Sequence, residues 1–376
     1  MSVLLVIDHF GSGGAQRQLV ALAVGLAKRG HHVECISYHA GYDFFRPALA
    51  AAGVAVHVVP KRGRLGANVV AAIRRRLVAG RFRAIVAFME TPSVYAELAS
   101  AGLPVRVIVS ERVDPLGATY TPMLRARALL HRRADAVVAN SATSRDIWTE
   151  LFPGLASRFC VIRNGVDLAH FAPAPAPSSD SPLRLVAVGT VVERKNAHGL
   201  AEALAVLRAR GLPLPVVTWV GKTEPGQATA AYRARLDRQL AEDGLEQHWV
   251  WAGEQRDVRP YIEAAHALIH PSFREGLSNA VCEAFACARP AIAAAVGDTT
   301  WMLGGERRGT GFDPLDVPSI ADALQRFAAL GPDERRARGA AARAFAEKEL
   351  GFERFVERFE ALLVGCATPR PAQEAG

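Results

Sequence analysis

The stretch VLLVIDHFGSGGAQRQLVALAVGLAKR, residues 3–29, contains one complete strand–turn–helix unit. Its apolar run at residues 3–7 predicts a strand that is buried on both faces. Glycines follow at residues 11–14, and apolar residues spaced three and four apart then share one face of a predicted helix over residues 15–29. A buried strand joined by a glycine-rich turn to an amphipathic helix is the repeating unit of a parallel α/β sheet.

The same rhythm occurs on both sides of one break. Before the break, buried strands are predicted at residues 33–37, 54–59, 84–88, 105–110 and 136–139. The break, FAPAPAPSSDSPL at residues 171–183, contains too much proline to continue a helix or a central strand. After it, strands are predicted at residues 185–188, 216–220, 250–251, 268–270 and 291–295, and three helices end the chain.

This alternation predicts an α/β fold of two doubly wound, Rossmann-like domains that face a central cleft. We place the first domain at residues 1–170, the linker at 171–183 and the second domain at 184–350. The helix within residues 351–376 is expected to pack back on the first domain and to end in a loose tail. Because ligands of such sheets bind beside the carboxyl ends of strands, the loops at those ends are the candidate sites.

Positive charge is concentrated in the first part of the chain. Residues 1–165 hold 21 Lys and Arg against 10 Asp and Glu, a net charge of +11, whereas the remainder holds 24 against 27, a net charge of −3. Arginine clusters at residues 74–76 and 132–133 indicate either an anionic membrane surface or a solvated face. Nucleic acid is not expected as a partner, because aromatic residues that stack on bases make up only 7% of the chain.

Composition also excludes several classes of protein. No apolar run approaches the ~20 residues of a membrane-spanning helix, and the first strand lacks the basic leader of a signal peptide. Five singly scattered cysteines exclude a disulfide scaffold and a structural zinc site. We therefore expect a cytoplasmic protein that is peripheral on the inner face of the membrane.

Two glycine-containing loops lie between a predicted strand and a helix. Gly13 and Gly14 of the loop GSGG let the backbone approach an anion at a helix N-terminus, although a tight turn without a ligand explains them equally well. The second loop, GTVVERKN at residues 189–196, places Lys195 where its ammonium can reach a phosphate. Only five of the 45 basic residues are lysines, which favours a function for Lys195 over a solvated loop charge.

The strongest signal is HPSFREGLSNAVCEAFA at residues 270–286, which runs from a strand end into a helix. Ser278 is suited to cap that helix, and the amides that follow it favour an anionic group. Glu275 and Glu283 lie eight residues apart beside this anion site, as expected for acids that accept hydrogen bonds from sugar hydroxyls. The alternative is that Glu283 pairs with an arginine and that Glu275 is an exposed loop acid.

A fourth cluster, Ser110-Glu111-Arg112, ends a strand of the first domain. Its charged side chains are expected to face the cleft. Glu111 and Arg112 are therefore candidate ligand-binding residues of the first domain, and a loop salt bridge explains them equally well.

Five motifs together resemble the retaining nucleotide-sugar glycosyltransferases of family 4, which have the GT-B fold. They are GGAQR at 13–17, VIRNGVD at 161–167, VGTVVERKN at 188–196, REGLSNAVCEA at 274–284 and VGD at 296–298. The resemblance implies that the first domain binds the acceptor and the second the nucleotide sugar. The sequence departs from the family pattern at Thr190, where an arginine is frequent, and at residues 110–112, where a histidine is frequent.

The resemblance also implies roles for single residues. Glu275 would contact the donor sugar, Glu283 the ribose, and Lys195 the leaving diphosphate. Further donor-binding residues implied in this way are Gly13, Gly14, Gly276, Leu277, Ser278 and Asn279, and Thr190 is a further candidate at a position that departs from the family. The resemblance defines no role for Glu111 and Arg112, which are the candidates on the acceptor side.

The activity implied is transfer of a sugar, with retention, from a UDP-sugar to a glycan or lipid-linked acceptor in polysaccharide or glycoconjugate biosynthesis. No metal ion and no other cofactor are expected, since the leaving phosphate itself can take the acceptor's proton. Three alternatives remain open: a nucleotide-sugar epimerase on a similar fold, an inactive relative that binds a sugar nucleotide, and a module that binds anionic lipid.

Overall fold

Two parallel sheets organise the chain, one in each of two units. The computed structural model describes residues 1–112, 122–177, 182–223 and 226–365. Unit 1 is Met1–Gly165 together with the segment that begins at Phe352, and unit 2 is Val166–Gly351. Each unit has the strand–helix alternation of a Rossmann-like domain, which confirms the predicted fold class.

Unit 1 contains a seven-stranded sheet in its described part, with the order β3-β2-β1-β4-β5-β6-β7 and parallel pairing between all neighbours. The strands are β1 (Ser2–Val6), β2 (His32–Ser37), β3 (Ala55–Val58), β4 (Ala84–Phe88), β5 (Arg106–Glu111), β6 (Ala136–Ala139) and β7 (Phe159–Val161). The helices between them are α1 (Gly14–Lys28), α2 (Arg46–Ala51), α3 (Ala67–Ala79), α4 (Glu90–Ser100), α5 (Pro122–His131) and α6 (Ala142–Leu151).

Helices cover both faces of this sheet, as the apolar run in β1 predicts. Val3 and Leu5 pack with α1, whereas Leu4 and Val6 pack with α3 and α4 on the opposite face. Successive strand side chains point to opposite faces, so a strand covered on both faces is apolar at most positions.

Unit 2 contains a six-stranded parallel sheet in its described part, in the order β10-β9-β8-β11-β12-β13. The strands are β8 (Arg184–Val188), β9 (Val216–Val220), β10 (Trp249–Gly253), β11 (Ala267–His270), β12 (Ala291–Ala294) and β13 (Gly309–Phe312). The helices are α7 (Ala197–Ala209), α8 (Gln227–Glu242), α9 (Arg259–Glu263), α10 (Asn279–Ala286), α11 (Thr299–Leu303), α12 (Val317–Ala329) and α13 (Pro332–Glu349).

The last helix, α14 (Phe352–Val364), belongs to unit 1 and packs against α1. Its Phe359 is fully buried, and a Cβ atom at Gly25 of α1 would lie 2.5 Å from Val356 Cγ2. Glycine at position 25 therefore permits the close approach of the two helices. Arg29, which directly follows α1, adds ion pairs with three acids of α14, namely Glu353, Glu357 and Glu360.

The proline-rich segment 171–183 contains neither helix nor strand in its described residues, 171–177 and 182–183. Phe171 is buried in the core of unit 2, and the Arg289 guanidinium donates hydrogen bonds to the carbonyl oxygens of Ala174 and Pro175, at 3.0 and 2.7 Å. This segment is thus bound along unit 2. The predicted loose tail from Ala367 lies outside the described residues.

Candidate active site

The strand order of unit 2 reverses between β8 and β11, which is where doubly wound sheets bind ligands. The loops that follow these two strands carry Lys195 and Glu275, and each loop leads into a capped helix. Asn196 Oδ1 accepts a hydrogen bond from the Gly199 amide at the start of α7, at 3.1 Å. Ser278 Oγ accepts one from the Val281 amide at the start of α10, at 3.4 Å, so the predicted cap is confirmed.

The two loops meet in an ion-pair cluster around Glu275. Its Oε1 atom lies 2.6 Å from Lys195 Nζ and 3.1 Å from Arg194 Nη1. Burial raises the pKa of Glu275, but Lys195, His270 and Arg194 outweigh burial and hold that pKa well below its usual range. Glu275 is therefore ionised at neutral pH and pairs with two cations at the switch point.

His270 and Arg194 are members of this cluster to which the sequence assigned no role. His270 ends β11 and is buried, with its Nε2 atom 3.6 Å from Glu275 Oε1, longer than a hydrogen bond. Burial lowers the pKa of His270, which favours its neutral form. Arg194 stands beside Lys195 in a short 3-10 turn, and this local geometry turns both side chains toward Glu275.

Close backbone contacts hold the two loops in place. A Cβ atom at Gly189 would lie 3.2 Å from Lys195 Cε, so the lysine side chain passes directly over the glycine. Gly297 has φ 55°, and its Cβ would lie 2.2 Å from the Glu275 carbonyl oxygen, so glycine is required in this turn after β12. The neighbouring Asp298 amide donates to the Gly276 carbonyl at 3.0 Å.

The other predicted donor-binding residues of unit 2 lie in or next to these loops. Thr190 is half-buried directly after Gly189. Glu283 is buried on α10, five residues after the cap residue Ser278. The turn that enters α10 contains the remaining ones, Gly276, Leu277, Ser278 and Asn279. Their binding roles stay predictions.

The predicted glycine loop of unit 1 also lies at a switch point, between β1 and β4. A Cβ atom at Gly13 would lie 1.9 Å from Gln16 Oε1, so Gly13 makes room for this side chain. Gln16 Nε2 in turn donates to Asp8 Oδ1 at 2.9 Å. Gly13 thus has a packing role of its own, and binding of an anion by Gly13 and Gly14 stays a prediction.

Glu111, at the end of β5, lies in a buried network of charges. It accepts hydrogen bonds from Arg127 Nη2 at 2.5 Å and His131 Nε2 at 3.2 Å, and His131 Nδ1 lies 2.7 Å from Glu97 Oε1. Burial opposes ionisation, but Arg127 and His131 lower the pKa of Glu111 to about 2. Against the same burial, Glu111 and Glu97 raise the pKa of His131 to about 9.

Arg112, the next residue, makes none of these ion pairs. Its Nη1 atom donates to Asn164 Oδ1 at 3.1 Å, and its guanidinium carbon lies 4.2 Å from the centre of the Phe88 ring. Asn164 belongs to the VIRNGVD motif that the sequence singled out. Residues 113–121, which follow Arg112, lie outside the described residues.

Two kinds of feature are absent from the described residues. No group of three or more His, Cys, Asp and Glu side chains there is arranged to hold a metal ion. No helix there is both long and apolar enough to cross a membrane.

Two family models match the chain, one in each half. Residues 12–170 match Glycosyltransferase Family 4, and residues 182–329 match Glycosyl transferases group 1. Together they cover most of the chain, which belongs to the GT-B glycosyltransferases of family 4. The predicted family is confirmed, and retention of configuration stays a prediction.

Characterised relatives and solved structures agree with this family. The chain is 29% identical over 210 residues to glycogen synthase of Mycobacterium tuberculosis, covering 56% of this chain and 49% of that protein. It is 29% identical over 266 residues to D-inositol 3-phosphate glycosyltransferase of Xylanimonas cellulosilytica, covering 64% and 59%. The chain thus spans about half the length of the curated relatives it matches. The fold resembles Anabaena Alr3699/HepE in complex with UDP and glucose, with a TM-score of 0.84, 21% identity and coverage of 97% and 100%.

Proposed function

We propose that this protein transfers a glycosyl group from a UDP-sugar to a hydroxyl of a glycan or lipid-linked acceptor, with retention, in polysaccharide or glycoconjugate biosynthesis. The observation that carries the proposal is the 2.6 Å contact of Lys195 with Glu275 at the switch point of unit 2. The cation can pair with the diphosphate of a donor, and the carboxylate can accept hydrogen bonds from the hydroxyls of its sugar. The complex of HepE with UDP-glucose supports UDP as the nucleotide.

The geometry suggests how the site acts on a donor. The diphosphate competes with Glu275 for Lys195 and Arg194, which frees the carboxylate to accept hydrogen bonds from the sugar. When the sugar–phosphate bond breaks, its electron pair goes to the phosphate oxygen, where Lys195 and the N-terminus of α10 stabilise the charge. The acceptor oxygen bonds to the anomeric carbon, and its proton goes to the leaving phosphate.

Release of UDP from a panel of UDP-sugars, with and without lipid-linked and glycan acceptors, tests the proposal. We expect acceptor-dependent release by the unmodified chain and by Lys348→Ala, which removes an exposed lysine of α13. Lys195→Ala should lose this release. Equal release by Lys195→Ala would contradict the proposed site.

Donor incubated alone separates the alternatives. An epimerase isomerises the sugar of a nucleotide sugar without any acceptor. An inactive relative binds UDP, as thermal stabilisation would report, but neither isomerises nor transfers the sugar. Product analysis by mass spectrometry and NMR therefore distinguishes the three functions, and NMR of the anomeric proton reports retention.

The proposed reaction includes no metal ion, since Lys195 and Arg194 supply positive charge for the diphosphate. We expect an excess of EDTA to leave UDP release unchanged, and added Mg²⁺ or Mn²⁺ to raise it less than twofold. Loss of activity in EDTA with recovery in one of these metals would contradict this part of the proposal.

We further propose that unit 1 contacts an anionic membrane surface, which would hold a lipid-linked acceptor nearby. α5 exposes Met123 and Leu129, at 69% and 63% of their surfaces, beside Arg125, Arg132 and Arg133. Exposed apolar side chains next to arginines are typical of helices that lie in a membrane interface. Two arginines of unit 1 are not available, because Arg127 is buried and Arg76, in the predicted cluster 74–76, pairs with Glu34.

A further inference from the structure

Arg112 carries a buried charge at the carboxyl edge of the unit 1 sheet. It directly follows β5, next to the switch point between β1 and β4, and only 8% of its surface is exposed. Glu111 and Arg127, which are equally buried, neutralise each other. No carboxylate pairs with Arg112 among the described residues, and its Nη2 atom is buried there without a hydrogen-bond partner.

This arrangement is costly for the protein alone. A charged group out of water is tolerated when an opposite charge and hydrogen bonds compensate it. Within the described residues, Arg112 has one side-chain hydrogen bond, to Asn164, and lies over the face of Phe88. Burial accordingly lowers the pKa of Arg112 to about 9. Packing within the described residues therefore does not explain why an arginine is placed here.

Two neighbouring polar atoms share the same lack of partners. Ser110 Oγ and Asn140 Oδ1 are buried without a hydrogen-bond partner in the part of the chain that the structure describes. The Asn140 amide donates to the Glu111 carbonyl at 3.3 Å, which places residue 140 beside the end of β5. Unpaired donors and acceptors thus gather where β5 and β6 end, at the edge where such sheets bind ligands.

We propose that Arg112 binds an oxyanion, a phosphate or a carboxylate, of the acceptor. A guanidinium matches both anions in shape and in hydrogen-bond direction, and an anion would supply the counter-charge that no described residue provides. Asn164 holds Nη1 and leaves Nη2 for the ligand. The assignment of this oxyanion to the acceptor rests on the proposed function, whereas oxyanion binding at Arg112 does not.

The test measures binding to the full-length chain, with Lys195→Ala as the background so that the site in unit 2 contributes less. The probes are glucose 1-phosphate, glucuronate and UDP. Calorimetry measures their affinities, and thermal unfolding measures the stability of each variant. The variants are Arg112→Met, which removes the charge at similar volume, Arg112→Lys, and Arg127→Met as a matched control with an internal partner.

We expect Arg112→Met to unfold at the temperature of its background or above it, and to bind glucose 1-phosphate or glucuronate at least tenfold more weakly. Arg112→Lys should retain part of this affinity, and Arg127→Met should lower the unfolding temperature. The preferred probe identifies the anion as phosphate or carboxylate. Weaker binding of UDP alone would assign the anion to the donor and overturn the proposal.

The proposal is also overturned if Arg112→Met unfolds as early as Arg127→Met while its affinity for all three probes is unchanged. Arg112 would then be structural. These measurements need no turnover, so they can succeed even if UDP release fails. Failure of the proposed function and failure of the oxyanion site are therefore distinguishable.

Discussion

Glu275 carries the charge balance of the candidate site in unit 2. Lys195 and Arg194 both contact its Oε1 atom, and buried His270 lies beside it. Glu275 thus offsets part of the positive charge of the site before a donor arrives, and a net positive charge is left for an anion. A diphosphate, with more negative charge than one carboxylate, can take over these cations, because charge-assisted hydrogen bonds to phosphate are strong.

Substitutions at the site should separate turnover from binding. We expect Lys195→Ala and Glu275→Ala to lower kcat by about 10²- to 10³-fold, since these residues act on groups whose charge or shape changes in the transition state. Glu283→Ala should mainly raise KM, because it would hold a ribose that does not react. Steady-state kinetics with a UDP-sugar measures both effects. Wild-type kcat in Lys195→Ala or Glu275→Ala would rule the assignment out.

His131 gives unit 1 a dependence on pH. Its pKa is raised to about 9, so the folded protein keeps a proton that the unfolded chain loses above its ordinary pKa of about 6.5. Stability from this group is complete below about 6.5 and is lost as pH rises through about 9. We expect thermal unfolding to shift downward between pH 6.5 and 9 by more in the wild type than in His131→Gln. Parallel curves for the two proteins would refute a charged His131.

Among the helices and strands, apolar patterning predicts the central strands and misses the shorter and less regular elements. Residues 136–139 were predicted as a strand and form β6. β13, with the sequence GTGF, has no apolar run, and its Gly309 is needed because a Cβ there would lie 2.0 Å from the Ala291 carbonyl oxygen. β7 and α2 were also missed, because three and six residues are too few for a periodic pattern.

The candidate site was predictable only in part. Strand ends and glycines place Lys195 and Glu275 in loops, but their contact joins residues 80 positions apart. The strand order that makes β8 and β11 neighbours cannot be derived from the periodicity of either segment. Arg194 was missed because the 3-10 turn that directs its side chain has no sequence pattern of its own.

The packing of α14 on α1 predicts a stability effect confined to unit 1. Phe359→Ala removes a fully buried ring that packs on Phe88, with centroids 5.6 Å apart, and we expect a loss of about 3–5 kcal/mol. Glu357→Ala removes only an exposed partner of Arg29 and should cost less than about 1 kcal/mol. Denaturant unfolding, monitored by hydrogen exchange in each unit, measures these losses of stability. Equal losses in the two variants would contradict the packing role of α14.

Charge is divided unevenly along the chain, with +11 on residues 1–165 and −3 on the rest. Part of the positive charge is internal, since Arg76 and Arg127 are bound to acids. The exposed remainder, with Met123 and Leu129, forms the surface proposed to contact lipid. Salt should weaken this contact, because screening acts on exposed charges.

Co-sedimentation with vesicles tests this surface. We expect binding to anionic vesicles at low salt and little to neutral ones. Arg132→Gln/Arg133→Gln should weaken it by about tenfold or more, at about 1 kcal/mol for each arginine near the leaflet. Arg235→Gln/Arg238→Gln changes the charge of unit 2 by the same amount and should have little effect. Equal recovery with neutral and anionic vesicles would remove this part of the proposal.

The return of α14 to unit 1 has a consequence for biosynthesis. Unit 2 is one uninterrupted stretch of chain, whereas unit 1 needs residues from before and after it. On the ribosome, the apolar surface of unit 1 against which α14 packs therefore stays uncovered until all of unit 2 has been translated. A nascent chain that stops before Phe352 presents that apolar surface to chaperones and proteases, so quality control can detect an incomplete copy from one missing helix.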